Sequence, residues 1–67
     1  MKKDFKDICK ELLIELNLTQ GEFAKKIGTK QCTVSKWLNG VQEPRFFQLQ
    51  NIATTFNIDP NFLLGLD

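Results

Sequence analysis

The stretch LTQGEFAKKIGTKQCTVSKWLNG, residues 18–40, decides the fold. Its opening, Thr19-Gln20-Gly21-Glu22, has the form of a capping box. In such a box the cap hydroxyl accepts from the third helical amide, and the glutamate three residues on reaches back to the cap's own N–H. Leu18 and Phe23 fall at the two positions of a hydrophobic staple, one before the cap and one at the fourth helical residue. Two devices that agree on one start fix a helix beginning at Thr19. Phe23, Ala24 and Ile27 form its inward face. Gly28 ends it, because a residue just past a helix C-terminus often needs positive φ, which glycine adopts without strain. Gly21 weakens this helix by about 1 kcal/mol relative to alanine. A second helix follows at once, from Thr29 or Lys30. Val34, Trp37 and Leu38 are its inward positions at i, i+3 and i+4, and Asn39-Gly40 ends it.

Working outward, Phe5, Ile8, Cys9, Leu12, Leu13 and Leu16 recur at helical spacing, so a helix runs from about Asp4 to Leu16 with Asp4 as its cap. Cys9 lies on the apolar stripe and reads as a small core residue, not a reactive thiol. Ile14 lies off the stripe. Beyond a loop through Val41-Gln42-Glu43-Pro44, the residues Phe46, Leu49, Ile52, Ala53 and Phe56 mark a helix from about Arg45 to Phe56. Phe47 falls off that stripe. Asp59 before Pro60 has the form of a cap with proline at the first helical position. It opens a short last helix carrying Phe62, Leu63 and Leu64, closed by Gly65. No strand pattern interrupts these elements. The expected fold is all-α, a compact five-helix bundle forming one domain over residues 1–67.

Composition removes several classes of function. A chain of 67 residues buries only about 60% of the surface it exposes when unfolded, so it must fold compactly or lean on a partner. No apolar run approaches the roughly 18 residues of a membrane span. The charged start, Met1-Lys2-Lys3-Asp4, is no signal-peptide core, which makes the cytoplasm the expected location. Cys9 and Cys32 make no disulfide framework. Without histidine or a second cysteine pair, metal ligands are lacking and so is the commonest general base. Glu11, Glu15 and Glu22 lie on or next to helices, with no histidine, cysteine pair or glycine-rich loop to assist acid–base chemistry. An enzyme, a cofactor and a small-molecule ligand are therefore not expected.

Charge is unevenly spread behind a net value of +1. Residues 1–22 hold four lysines and five acids, residues 23–45 hold five basic residues against Glu43 alone, and residues 46–67 hold only Asp59 and Asp67. The middle third is a candidate footprint for a polyanion; a basic solvated face is the competing reading.

Two short helices joined by a glycine turn, with small Ala24 permitting close approach, form a helix-turn-helix pattern. Such a turn leaves the outer face of its second helix free to enter a DNA major groove. At these residues the chain resembles the phage-repressor and Cro family of helix-turn-helix transcriptional regulators, the xenobiotic-response-element type. The matching text is Leu18-Thr19-Gln20, residues 23–28, residues 33–40, Pro44, Leu49, Ile52-Ala53 and residues 62–65. The resemblance extends over residues 5–66. It implies a lambda-repressor-like domain whose third helix reads double-stranded operator DNA, most often as a homodimer repressing transcription.

By position, the resemblance places base reading on Gln31, Cys32, Thr33 and Lys36. Glutamine can bond adenine N6 and N7 together, lysine can donate to guanine, and a threonine methyl can touch thymine. A thiol is a poor partner in such a code, so Cys32 offers apolar contact at most. Phosphate contacts fall on Gln20, Lys30, Asn39 and Arg45, with Lys25 and Lys26 as further charges or plain solubilising residues. The two-fold contact falls on Ile58, Pro60, Phe62 and Leu63, with Phe47 adding to an apolar patch; closure of the core is the alternative role for Phe62 and Leu63. Two departures stand out. Lys30 occupies a position where the family commonly caps with serine or threonine, so Thr29 is an alternative cap that would move the helix start. Leu13 and Leu38 replace a common Arg–Glu pair, which predicts that they touch in the core without leaving a lone buried charge. Two other readings remain: a protein-interaction module such as an antitoxin or anti-repressor, and the amino-terminal part of a longer regulator.

Overall fold

The computed structural model describes residues 4–65. The lysines at 2 and 3, and the last two positions, 66 and 67, of the charge tally and of the resemblance, lie outside the described residues. Five helices follow one another: α1 Phe5–Leu16, α2 Gln20–Ile27, α3 Gln31–Leu38, α4 Phe46–Phe56 and α5 Pro60–Leu63. Among the described residues there is no strand, and the fold is the all-α five-helix bundle that the periodicity predicts, in the lambda-repressor-like form that the resemblance implies. No helix among them is long and apolar enough to cross a membrane.

The start of α2 carries both halves of its capping box. The Glu22 N–H donates to Thr19 Oγ1 at 3.1 Å, and the Thr19 N–H donates to Glu22 Oε1 at 2.8 Å. The C-terminus of α2 closes in a Schellman arrangement. Gly28 sits at φ 72°, and the Thr29 and Gly28 amides donate back to Ala24 O and Lys25 O at 2.9 and 3.3 Å. At the start of α5, Asp59 accepts from the Asn61 N–H at 2.9 Å, and Pro60 holds the first turn.

Phe23, Ala24 and Ile27 from α2 meet Val34, Trp37 and Leu38 from α3 in one buried cluster with Phe5, Ile8, Cys9 and Leu12 from α1. Ile52, Ala53 and Leu63 complete it. Phe23 stacks on Phe56 with centroids 5.2 Å apart, tying α2 to α4. Phe5 meets Trp37 edge-on at 5.7 Å and 88°, tying α1 to α3. Each is the offset or T-shaped geometry that the ring quadrupole favours. Burial pushes the Cys9 thiol up to about 11, in keeping with a core residue held neutral.

The structure corrects four expectations. First, α3 begins at Gln31, one or two residues later than predicted, with Lys30 and not Thr29 at the cap position. Second, Asp4 occupies the cap of α1 but its side chain accepts no cap hydrogen bond. Third, Phe46 is 69% exposed although it shares the spacing of the α4 stripe. As the first helical residue it projects past the end of the core, and the inward face begins only at Leu49. Fourth, Leu63 is only 2% exposed, so it closes the core and presents no side-chain surface to a second subunit. Ile14 and Phe47 are exposed, as their positions off the stripes require. Leu13 packs against the cluster that contains Leu38, and both border one shallow groove between α1 and α3.

Candidate nucleic-acid interface

The α2–turn–α3 unit is held from behind. α3 packs on α2 and α1, and α2 packs on α4. Val34 and Trp37 are essentially inaccessible, so α3 is fixed along its inner side. One polar contact adds to this clamp. The Asn51 side-chain amide on α4 donates to the Ile27 carbonyl, at the end of α2, over 2.6 Å. The last carbonyls of a helix have no partner inside it, so this bond satisfies one of them and pins the turn to α4. Sequence reasoning missed Asn51, because a single asparagine in a polar helical stretch carries no pattern; its partner lies 24 residues away.

On the outer side of α3, Cys32, Lys36 and Asn39 follow one another at i, i+4 and i+7, so they form the centre line of the exposed face. Gln31 and Ser35 flank that line on one side and Thr33 on the other. Gln31, Cys32 and Lys36 are exposed, whereas Thr33 and Ser35 are half-buried. Ser35 was absent from the residues singled out by resemblance, yet it stands nearer the outward line than Thr33. Its signal was available in the spacing from Cys32 and Asn39. No acidic residue occurs in α3.

The Gln31 side chain does not project freely. It lies back over the first turn of α2, where a Cβ placed on Gly21 would meet Gln31 Oε1 at 3.2 Å. The first residue of α3 is thereby packed against the second residue of α2. The cap of α3 offers no side-chain acceptor, since the Lys30 ammonium can only donate. Lys30 therefore supplies no side-chain bond to the free amides at that helix N-terminus.

The remaining polar positions surround this unit. Gln20 is the first residue of α2 and half-buried; Asn39 caps α3 and is exposed. Arg45 caps α4, its N–H donating to Gln48 Oε1 at 2.7 Å, which is the return half of a capping box. A guanidinium accepts nothing, so the forward half is missing. Glu22 is held below the usual glutamate range by the Thr19 backbone N–H, then by the Thr19 side chain and by Lys26. Lys26 itself borders a depression with Leu16, Leu18, Thr55 and Phe56, away from α3. Of the predicted two-fold residues, Pro60 is exposed and Ile58 and Phe62 are half-buried.

The sequence profile of the helix-turn-helix family matches residues 10–63, a span that includes α2, the turn and α3. The chain belongs to the helix-turn-helix family. It is a DNA-binding regulator of that family. No curated protein and no solved structure matches the chain closely enough to be cited as a relative.

Proposed function

We propose that this helix-turn-helix protein is a sequence-specific transcriptional repressor that reads the major groove with α3. The observation that carries the reading is the division of α3 itself. Val34, Trp37 and Leu38 lock one side into the core, while Cys32 and Lys36 stand exposed on the other, Gln31 is exposed at the first turn, and no acidic residue occurs in the helix. In this reading Gln31, Thr33 and Lys36 read base edges and Cys32 makes apolar contact in the groove. Gln20, Lys30, Asn39 and Arg45 meet phosphates. Phosphate contacts orient the domain, and base contacts supply discrimination.

The repressor acts as a homodimer on a two-fold operator, with Ile58, Pro60 and Phe62 at the contact. Selection of bound sites from random double-stranded DNA tests this. The expected product is an inverted repeat whose half-sites lie about one helical turn apart. Equal affinity for every sequence would sink the proposal.

One observation favours a second reading, that of a protein-interaction module such as an antitoxin or anti-repressor. Val41, Phe46 and Phe47, three large apolar side chains within seven residues, are each more than 60% exposed. Clusters of this kind mark contact surfaces. Under that reading, removing Lys36 and Gln31 together leaves the cellular phenotype intact, whereas under the first it abolishes repression.

A further inference from the structure

A shallow groove opens where α1, the start of α2 and the end of α3 converge. Lys10, Leu13, Ile14, Gln20, Leu38 and Asn39 line it. Gln20 and Asn39 are two of the four positions proposed above for phosphate contact, and they come from different helices. Lys10 comes from a third. Neither composition nor resemblance drew attention to it, because the first 22 residues carry more acids than lysines. The helix sets the two signs on adjoining edges. Lys6 and Lys10 are one turn apart on one edge of α1, and Asp7, Glu11 and Glu15 follow each other at four-residue spacing along the next, with Asp7 three residues from Lys10. The lysine edge is the one beside α3. Lys6 lies against the residue that follows Asn39, its Cδ being 3.3 Å from where a Cβ on Gly40 would sit.

We infer that this groove seats a segment of the DNA backbone and that Lys10 is a phosphate-binding residue, which extends the interface onto α1. The inference rests on the DNA-binding reading above. Charge complementarity selects the occupant. The rim offers an ammonium and two side-chain amides, and no carboxylate lines it. The rest of the lining, Leu13, Ile14 and Leu38, is apolar; Leu38 is buried and Ile14 is 79% exposed. A deoxyribose covers such apolar surface while its phosphate meets the polar groups; a free inorganic anion has nothing to place there. A competing role for Lys10 is to offset the partial negative charge at the C-terminal end of α3. In that role it contributes to stability but not to DNA affinity.

The test compares the full chain with Lys10→Gln and Lys26→Gln on the operator recovered by selection, over a series of salt concentrations. Each phosphate contact contributes about 0.9 to the slope of log affinity against log salt. Lys10→Gln is expected to lower that slope by about 0.9 per bound protomer and to leave the ranking of operator base substitutions unchanged. Lys26→Gln removes the same charge from the side of the molecule bordered by Thr55 and Phe56 and is expected to leave the slope unaltered. A slope that Lys10→Gln leaves intact, or that both variants lower equally, overturns the inference while the DNA-binding reading stands. A wild-type chain with no sequence preference overturns that reading and the inference with it.

Discussion

Gly21 lies at the second position of α2, under the Gln31 side chain, and replacing it with alanine sets two effects against each other. In a helix, alanine is more favourable than glycine by about 1 kcal/mol, somewhat less near an end. Against this, the new methyl stands 3.2 Å from Gln31 Oε1 and 3.7 Å from its Cδ. Those atoms end a flexible side chain, so Gln31 gives way by a few tenths of an ångström at little cost. Gly21→Ala is therefore expected to stabilise the domain by about 0.5–1 kcal/mol. In a domain of this size that raises Tm by a few degrees, at about 4–8 °C per kcal/mol. The same displacement moves Gln31, the first of the residues proposed to read bases. A bidentate glutamine–adenine pair is worth about 1–3 kcal/mol of discrimination, and misplacing it loses part of that. Thermal melts and operator titrations on wild type, Gly21→Ala, Gln31→Ala and the double variant separate the two effects. With Gln31 truncated, Gly21→Ala should still stabilise but no longer change operator discrimination. A domain destabilised by Gly21→Ala would refute the account of α2. Discrimination that Gly21→Ala alters equally with and without the Gln31 side chain would refute the coupling.

Three further perturbations follow from the same framework. Thr19→Ala removes the forward half of the capping box and should cost about 1 kcal/mol, read as a lower urea midpoint with an unchanged m value. Asn51→Ala leaves the Ile27 carbonyl without its partner and should cost about 1–3 kcal/mol; hydrogen exchange at the Gly28 and Thr29 amides, held by Lys25 O and Ala24 O, should quicken more than exchange in α5. A result confined to α4 would contradict the clamp. The third concerns pH. Glu22 is held below its ordinary value in the folded chain, so its contribution is present above about 4.3, the unfolded value, and is lost as pH falls through the lower folded one. Glu22→Gln keeps an acceptor at that position and cannot titrate. Urea midpoints of the two proteins should therefore converge from about pH 6 to about pH 3, and a constant gap would show that the carboxylate charge is irrelevant.

Much of this architecture was legible because the deciding signals are local. Thr19, Glu22, Leu18 and Phe23 lie within six residues, and each acts on its neighbours through the backbone. Gly28 and Pro60 likewise carry their conformational consequence alone. Periodicity placed Val34, Trp37 and Leu38 in the core without knowledge of what they would meet. It failed at Phe46, since spacing reports direction around a helix and not distance along it, and the first residue of α4 overshoots the core. Lys30 was harder, because the position of a helix start can be read only when its cap residue has an acceptor. The site divides in the same way. The outward line of Cys32, Lys36 and Asn39 follows from helix geometry. The Asn51 bond to Ile27, the rest of Gln31 on Gly21 and the meeting of Lys10 with Gln20 and Asn39 depend on tertiary contacts between helices far apart in sequence.

The Phe5–Trp37 contact has a practical consequence. Trp37 is the chain's single tryptophan, is 1% exposed, and has an indole N–H with no hydrogen-bond partner among the described residues. An indole in an apolar, unbonded setting emits at shorter wavelength than one in water, so its fluorescence is a built-in gauge of whether α1 is docked on α3. Its ring faces inward from the helix whose opposite side presents Lys36. A change of emission on adding DNA would therefore register α3 shifting in its seat, not the arrival of a base at its surface.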